Sequence, residues 1–270
     1  MDSISVRDTQ IPTLGLGTAQ MTGSECREAV EQGLDLGYRH IDTAQMYGNE
    51  DAVGAAVTES GVDREEVFLT TKINRGNHQY DDVLSSFADS LERLGTEYVD
   101  LLLIHAPSRS VPVEETIKAM NHLQEDGTVQ HIGVSNFSVQ QTKEAVNVSE
   151  TPIITNQVKY HPLNAQNGLL EYCIENDIML TAYSPLARGK VADNDTLSRI
   201  GEKYGKNASQ VALRWLIQQE KVSAIPKASR RDHLEENIDI FDFELTDEEM
   251  QQVFELQGGL IDRVRSVLDI

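Results

Sequence analysis

Short, almost uninterrupted apolar runs recur along this chain, and an amphipathic helical pattern separates each from the next. Tyr98-Val99-Asp100-Leu101-Leu102-Leu103-Ile104 is the clearest of them. Runs of this kind belong to strands covered on both faces, because a strand with one wet face alternates instead. Strand-like segments lie near 39–41, 67–71, 99–104, 129–134, 153–157, 178–182 and 222–225, with helical patterns such as 24–37, 80–94, 113–125 and 138–147 between them. Leu14-Gly15-Leu16-Gly17-Thr18 precedes them as an eighth strand, whose glycines permit close approach of a ligand or a neighbouring strand. Val6 to Ile11 reads as a small hairpin with Asp8 in its turn. This alternation implies parallel strands joined by helical crossovers. Eight such units in roughly 250 residues predict an α/β fold, a (β/α)8 TIM barrel with a short N-terminal β-hairpin and extra C-terminal helices. An open doubly wound sheet needs a third glycine after its first strand, and Gly15-Leu16-Gly17-Thr18-Ala19-Gln20 lacks it. With no linker and no second core, residues 1–270 are expected to form one domain.

Charge narrows the function. The chain carries 44 Asp plus Glu against 23 Lys plus Arg, a net charge of -21. Such a surface repels nucleic acid and anionic membranes, so neither is an expected partner. The acids are scattered through helical segments such as Thr246-Asp247-Glu248-Glu249, as on a solvated surface. So large a charge suits a protein working in concentrated salt, where screening removes long-range self-repulsion. Cys26 and Cys173 lie far apart, form no metal-ligand spacing and read as buried thiols of a reducing compartment. Met1 to Ser5 has neither the basic nor the apolar region of a leader, and no run approaches a membrane span; the expectation is a cytoplasmic protein.

The strand ends carry the chemistry. Strand C-termini of such a barrel converge on one face, where function collects. Asp42 ends the run through Ile41, Lys72 follows Phe68-Leu69-Thr70-Thr71, His105 follows Leu101-Leu102-Leu103-Ile104, and Tyr47 sits in the loop beyond Asp42. Singly, each has an ordinary explanation: Asp42 as a turn cap, Tyr47 as a core cover, Lys72 as a solvated cation, His105 as a structural imidazole. An acid, an amine and an imidazole delivered to one rim by three neighbouring strands is harder to ascribe to packing.

At these residues the sequence resembles the aldo-keto reductases, NAD(P)H-dependent carbonyl-reducing barrels, along nearly its whole length. The motifs are Gly37-Tyr38-Arg39-His40-Ile41-Asp42-Thr43-Ala44 with Tyr47-Gly48-Asn49-Glu50, Leu103-Ile104-His105-Ala106-Pro107, Gly133-Val134-Ser135-Asn136-Phe137, Ala182-Tyr183-Ser184-Pro185-Leu186 and Ile225-Pro226-Lys227. The flavour is that of the short prokaryotic branch that includes the diketogluconate reductases. The resemblance implies a catalytic tetrad of Asp42, Tyr47, Lys72 and His105. Tyr47 would be the general acid, its phenol acidified by the Lys72 ammonium, which Asp42 holds, while His105 orients the carbonyl. Cofactor contacts are implied at Thr18, Asp42, Ser135, Asn136, Gln157, Tyr183, Ser184 and Leu186. The substrate would meet Ala19, Tyr47, His105 and Ala106.

Two other classes stay open on the residues alone. A lysine at a strand end also suits a Schiff-base lyase or aldolase acting through Lys72. A reductase-like barrel can also serve as a cofactor-sensing or interaction subunit. Many relatives carry tryptophan where this chain has Ala19 and Ala106, and the tail ending Arg263-Val264-Arg265-Ser266-Val267-Leu268-Asp269-Ile270 is short by family standards. A wide site with relaxed carbonyl specificity is therefore expected, in a monomer without a metal.

Lys227-Ala228-Ser229-Arg230-Arg231 is the densest basic cluster, and it opens a helical segment whose own dipole is positive there. Such a placement costs stability unless an anion sits on it. Resemblance assigns Lys227, Ser229 and Arg230 to the 2′-phosphate of NADPH, with Glu236 and Asn237 at the adenine. His233 stands where most relatives have arginine and is a weaker phosphate ligand. NADPH is expected to be preferred and NADH accepted.

Overall fold

A computed structural model describes residues 2–257 of the chain. After the hairpin β1 (Ser3–Val6) and β2 (Thr9–Pro12) come β3 (Leu16–Gly17), α1 (Gly23–Asp35), β4 (His40–Asp42), α2 (Glu50–Glu59), β5 (Phe68–Ile73), α3 (Tyr80–Leu94), β6 (Val99–Ile104), α4 (Val113–Glu125) and β7 (Val129–Ser135). The second half continues with α5 (Val139–Val148), β8 (Ile153–Lys159), α6 (Asn167–Glu175), β9 (Met179–Tyr183), α7 (Asp195–Glu202), α8 (Ala208–Ile217), β10 (Val222–Ile225), α9 (Arg231–Ile238) and α10 (Asp247–Glu255). Strands β3 to β10 pair in sequence order, each parallel to the next.

The sheet closes where Leu14 bridges Ala224, through Gly15 N–H to Ala224 O at 2.9 Å, Ala224 N–H to Thr13 O at 2.9 Å and Gly17 N–H to Pro226 O at 3.0 Å. The two glycines of the first barrel strand are explained by this seam. A Cβ on Gly17 would stand 2.8 Å from Ile225 O, and one on Gly15 would stand 2.8 Å from the His40 ring. The close approach is therefore to neighbouring strand and core. It also shortens β3 to two residues, where the sequence reads as five.

The barrel interior is filled from below. Val6 and Ile11 of the hairpin pack with Phe68, Leu101, Leu103, Ile154 and Met179, so β1 and β2 plug the N-terminal mouth. Each such aliphatic burial contributes about 1.5–3 kcal/mol. Above this apolar layer the side chains become small and polar. The Thr155 and Thr181 hydroxyls lie 2.8 Å apart, Ser223 donates to Thr181 at 3.2 Å, and Thr70 meets His40 Nε2 at 3.3 Å. Threonine suits both demands of a barrel strand, a β-branched shape and a hydroxyl that pairs sideways. The next level up is ionic, and it forms the floor of the site.

Outside the sheet, the helices bury their apolar stripes in one continuous core. Trp215 of α8 is fully buried between Tyr160 and Phe254, with ring centroids 5.4 and 4.9 Å away. Cys26 and Cys173 are buried and unlinked. Capping boxes fix the starts of α5, α8 and α10 through Ser138/Gln141, Asn207/Gln210 and Thr246/Glu249. No described helix is long and apolar enough to cross a membrane.

Candidate active site

Parallel register fixes the site before any side chain is considered. Asp42 pairs with Thr70, Lys72 with Leu103, and His105 N–H reaches Ile73 O at 3.3 Å, so β4, β5 and β6 deliver their groups at successive heights of one wall. Lys72 is not beyond its strand, as the sequence suggests, but is its fifth residue, fully buried and pointing into the barrel. A lysine tolerates that position because its partners are built in. Its Nζ donates to Asp42 Oδ1 at 2.6 Å and to Thr43 O at 2.8 Å. The other Asp42 oxygen accepts from Gln157 Nε2 at 2.7 Å. Asp42 and Gln157 likewise lie within β4 and β8 rather than after them.

Tyr47 stands in a single 3-10 turn, Gln45–Tyr47, above this pair. Its ring centroid is 5.1 Å from Lys72 Nζ and 5.7 Å from the His105 ring, which meets it edge-on at 87°. The turn is pinned by neighbours that sequence reading missed. Asn49 donates to Thr18 O and Met21 O, both at 2.9 Å, and accepts from Thr43 at 2.6 Å. Gln45 donates to Ser86 O at 3.0 Å and accepts from Asn74 N–H at 2.8 Å. Behind them, buried Glu50 takes Thr71 at 2.6 Å and Arg93 at 2.7 Å. Asn49 and Glu50 lie inside the motif that marks the site, but their partners are distant in sequence, so only the fold shows what they do.

Burial dominates the electrostatics. For Lys72 desolvation alone favours the neutral amine and is the largest single influence, yet Asp42 and Tyr47 together carry its pKa above the usual value, so it is an ammonium. For Tyr47 the balance runs against the expectation of an acidified phenol: burial pushes its pKa up, and the Lys72 charge offsets this only in part. Burial, with Lys72 nearby, lowers the His105 imidazole to about 4, so the ring is neutral at pH 7. Its Nδ1 is buried with no hydrogen-bond partner among the described residues.

Around the rim, Ser135 donates to Gln157 O at 2.8 Å, and Asn136, held at φ +62°, donates to His105 O and to Ser135 Oγ, both at 3.0 Å. Asn136 Oδ1 accepts from Tyr183 at 2.9 Å, which fixes the plane of that half-buried ring. Thr18 spends its hydroxyl on Asp42 O at 3.0 Å and so ties β3 to β4. Ala19 and Ala106 lie beside these loops without bulk, Ala106 buried directly after His105. Ser184 and Leu186 begin a loop in which Ser184, Ala187 and Arg188 all have positive φ, of 49, 50 and 57°. Each such residue costs about 1–2 kcal/mol of conformational strain. The tail Arg263–Ile270 falls outside the described residues.

The basic cluster differs most from its reading in sequence. Arg230, at the cap of α9, is paired with Asp232, and Arg231 reaches Asp35 and Glu235, both at 2.9 Å. The cations at this helix start are therefore largely neutralised by the chain's own carboxylates, which removes the stability cost inferred for them. Lys227 is exposed, Ser229 half-buried and His233 exposed; Glu236 faces solvent while Asn237 is buried next to the core.

The aldo/keto reductase family model matches residues 13–257. The chain belongs to that family. It is 42% identical over 245 residues to the glyoxal reductase of Bacillus subtilis (strain 168), covering 90% of this chain and 88% of that one. It is 43% identical over 251 residues to the 9,11-endoperoxide prostaglandin H2 reductase of Trypanosoma cruzi (strain CL Brener), covering 92% and 88%. Among solved structures, one provisionally named 2,5-diketo-D-gluconic acid reductase B superposes with a TM-score of 0.94 at 45% identity, over 97% of this chain and 94% of that one. A Bombyx mori aldo-keto reductase in complex with NADP does so with a TM-score of 0.89 at 34% identity, over 94% and 92%. Family and relatives make this chain a carbonyl-reducing oxidoreductase that uses a nicotinamide cofactor.

The rim fits such a group. Gln157 has its amide N–H on Asp42 and its side-chain oxygen uncommitted among the described residues, Asn136 Oδ1 has a second lone pair, and the Ser135 hydroxyl can rotate to donate. Those are the acceptors and the donor that a carboxamide needs.

Proposed function

We propose that this protein reduces the carbonyl of aldehydes, ketones or keto-sugars, with NADPH preferred and NADH accepted, and with Tyr47 as the general acid. The observation that carries the reading is the fully buried Lys72 ammonium, held at 2.6 Å by Asp42 and facing the Tyr47 ring. Bound nicotinamide supplies the hydride, which leaves developing negative charge on the substrate oxygen. A preorganised positive charge close to that oxygen lowers the barrier, and it is worth more in a buried site than in water. Tyr47 then gives up its proton to an oxygen becoming an alkoxide, so its raised pKa matters less than its position beside the ammonium. Neutral His105 can donate one ring N–H to the same oxygen, which an imidazolium repelled by Lys72 would do at greater cost. Ser135, Asn136 and Gln157 hold the carboxamide, Tyr183 offers a stacking face, and the Ser184–Leu186 segment lies along the pyrophosphate.

The Schiff-base alternative fares worse on the same observation. An amine must be unprotonated to attack a carbonyl, and Lys72 is an ammonium with Asp42 and Thr43 O already accepting from it. At the other end of the cofactor, Lys227, Ser229, Arg230 and His233 take the 2′-phosphate, but Arg230 must first share or leave Asp232. Weak discrimination between NADPH and NADH follows. Ala19 and Ala106 leave the substrate side wide. The protein acts as a salt-adapted, cytoplasmic monomer of one domain, and greater stability in dilute buffer than in molar salt would contradict the salt adaptation. A reductase assay over aldehydes, dicarbonyls and keto-sugars with each cofactor tests the function. Turnover of several carbonyls with NADPH is expected; cofactor binding without turnover of any would favour a sensing role, and borohydride trapping of substrate on Lys72 would favour the lyase.

A further inference from the structure

Three carboxylates are buried among the described residues, those of Asp42, Glu50 and Glu249. Asp42 holds Lys72. The other two resemble each other closely. Glu249 of α10 accepts from Lys203 Nζ at 2.7 Å and from the Tyr204 hydroxyl at 2.6 Å. Glu50, the first residue of α2, accepts from the Thr71 hydroxyl at 2.6 Å through Oε1, and from Arg93 Nε and Nη2 at 2.9 and 2.7 Å through Oε2. Each therefore combines one hydroxyl with one cation, and the cations are similarly placed, the Lys203 side chain 54% exposed and that of Arg93 43%. Stability does not tell the two apart, since replacing a buried ion pair by apolar groups of similar volume is often neutral.

The partners do tell them apart. Lys203 and Tyr204 directly follow α7, so Glu249 ties that helix to α10. Thr71 immediately precedes Lys72 in β5; as Lys72 points into the barrel, Thr71 points out of it, towards α2. Arg93 gives a further N–H to Ser90 Oγ at 3.2 Å, Ser90 Oγ accepts from Gln45 Nε2 at 3.1 Å, and Gln45 Oε1 accepts the Asn74 N–H at 2.8 Å. This path leaves β5 at Thr71 and returns to the chain at Asn74, just past the end of that strand, so Lys72 lies between its two ends. On the way it passes through Gln45, in the 3-10 turn that carries Tyr47. The helices are set close to allow it. A Cβ on Gly54, one turn beyond Glu50, would stand 2.2 Å from Leu94 O, beside Arg93.

We propose that Glu50, bonded to Thr71 and Arg93, is a positioning residue that fixes the Tyr47 turn relative to Lys72. The assignment rests on the reading of Tyr47 as general acid and adds how that acid is held. Asp42 takes Lys72 on the inner face of β5 while Glu50 takes Thr71 on the outer, so the strand cannot tilt without stretching a charge-assisted bond. Glu50 follows Tyr47 by three residues, and a shift of the carboxylate carries the phenol with it. Misplacing a reacting group by about 1 Å can cost about 100-fold in rate.

The test compares Glu50→Gln with Glu249→Gln in the full-length protein, by single-turnover reduction of an aldehyde with NADPH, steady-state KM and thermal melts. Glutamine keeps the volume of the side chain and removes its charge. Both variants should melt below wild type. E50Q should slow the reductive step by about tenfold or more, with aldehyde KM and NADPH affinity within about twofold of wild type, whereas E249Q should leave all three within about twofold. T71V, which removes only the hydroxyl that reaches Glu50, should slow the step by about threefold or more, and it decides the matter if E50Q does not fold. A reductive step within about twofold of wild type in folded E50Q, or in T71V where E50Q does not fold, overturns the assignment and leaves the reductase reading standing. A loss confined to KM, or an equal loss in E249Q, does the same. Failure of the wild type to reduce any carbonyl overturns both.

Discussion

The wall formed by β4, β5 and β6 and the basic end of α9 both hold cations against carboxylates, but the two do so under opposite physical conditions. Lys72 and Asp42 are 0% and 2% exposed, and the geometry around them is set by backbone register. Arg230 and Arg231 lie in solvent; their partners Glu235 and Asp35 meet them through side chains, and Asp232 also accepts the His233 N–H at 2.9 Å. A buried charge that loses its partner has nowhere to go, whereas an exposed one turns to water. The first arrangement therefore has a fixed electrostatic field, and the second an adjustable one. Fixed charge suits the reacting atoms. Adjustable charge suits a cofactor that must arrive and leave.

Removing one partner from each pair should expose the contrast at its largest. Lys72→Met strands Asp42 in the barrel and should cost about 3–5 kcal/mol in denaturant unfolding, whereas Arg230→Gln should move stability by no more than about 0.5 kcal/mol. Equal effects would erase the distinction. Acid should act on the buried region next. Burial, the first cause in both, holds His40 and His105 at about 4 against the ordinary value of 6.5. Between those values the unfolded chain binds more protons than the folded one, so stability rises with pH across the window. Thermal melts should accordingly fall from pH 6.5 towards pH 4 and stay level above it. A flat profile through that window would show that these rings are not held neutral by the fold.

At the exposed end, cofactor choice should shift without loss of fold. His233→Arg should raise the ratio of kcat/KM for NADPH over NADH by about 1.5–3 kcal/mol, the range of a charge-assisted contact. Asp232→Asn, which releases Arg230, should act in the same direction and by less. If NADH were preferred and remained so after both changes, the phosphate contact would have to lie elsewhere.

The two regions also differ in how far they were legible before the fold was known. Asp42, Tyr47, Lys72 and His105 could be grouped because each sits at or near the end of an apolar run, and parallel register converts that position into proximity. The strand bounds 99–104 and 222–225 and the helices 80–94 and 113–125 coincide with those observed, since their apolar patterns end at turn or capping residues. Burial was harder. Nothing in Thr70-Thr71-Lys72-Ile73 says that the lysine points inward, and the upward shift of the Tyr47 phenol depends on walls contributed by distant segments. At α9 the carboxylates that quench the cluster were partly in view as Asp232 and Glu235. Asp35, from α1, became a partner only through packing.

The central claim is that Tyr47 gives the proton while the buried ammonium steadies the charge that forms. Replacing Tyr47 by Phe keeps the ring that packs against His105 and removes only the hydroxyl. Single-turnover reduction of an aldehyde by preloaded enzyme, with NADPH affinity followed by fluorescence on the same protein, reads the two effects apart. The account predicts a loss of roughly 100-fold or more in the reductive step, with NADPH binding within about twofold of wild type. A reductive step at the wild-type rate in a Tyr47→Phe enzyme that binds NADPH normally would contradict it.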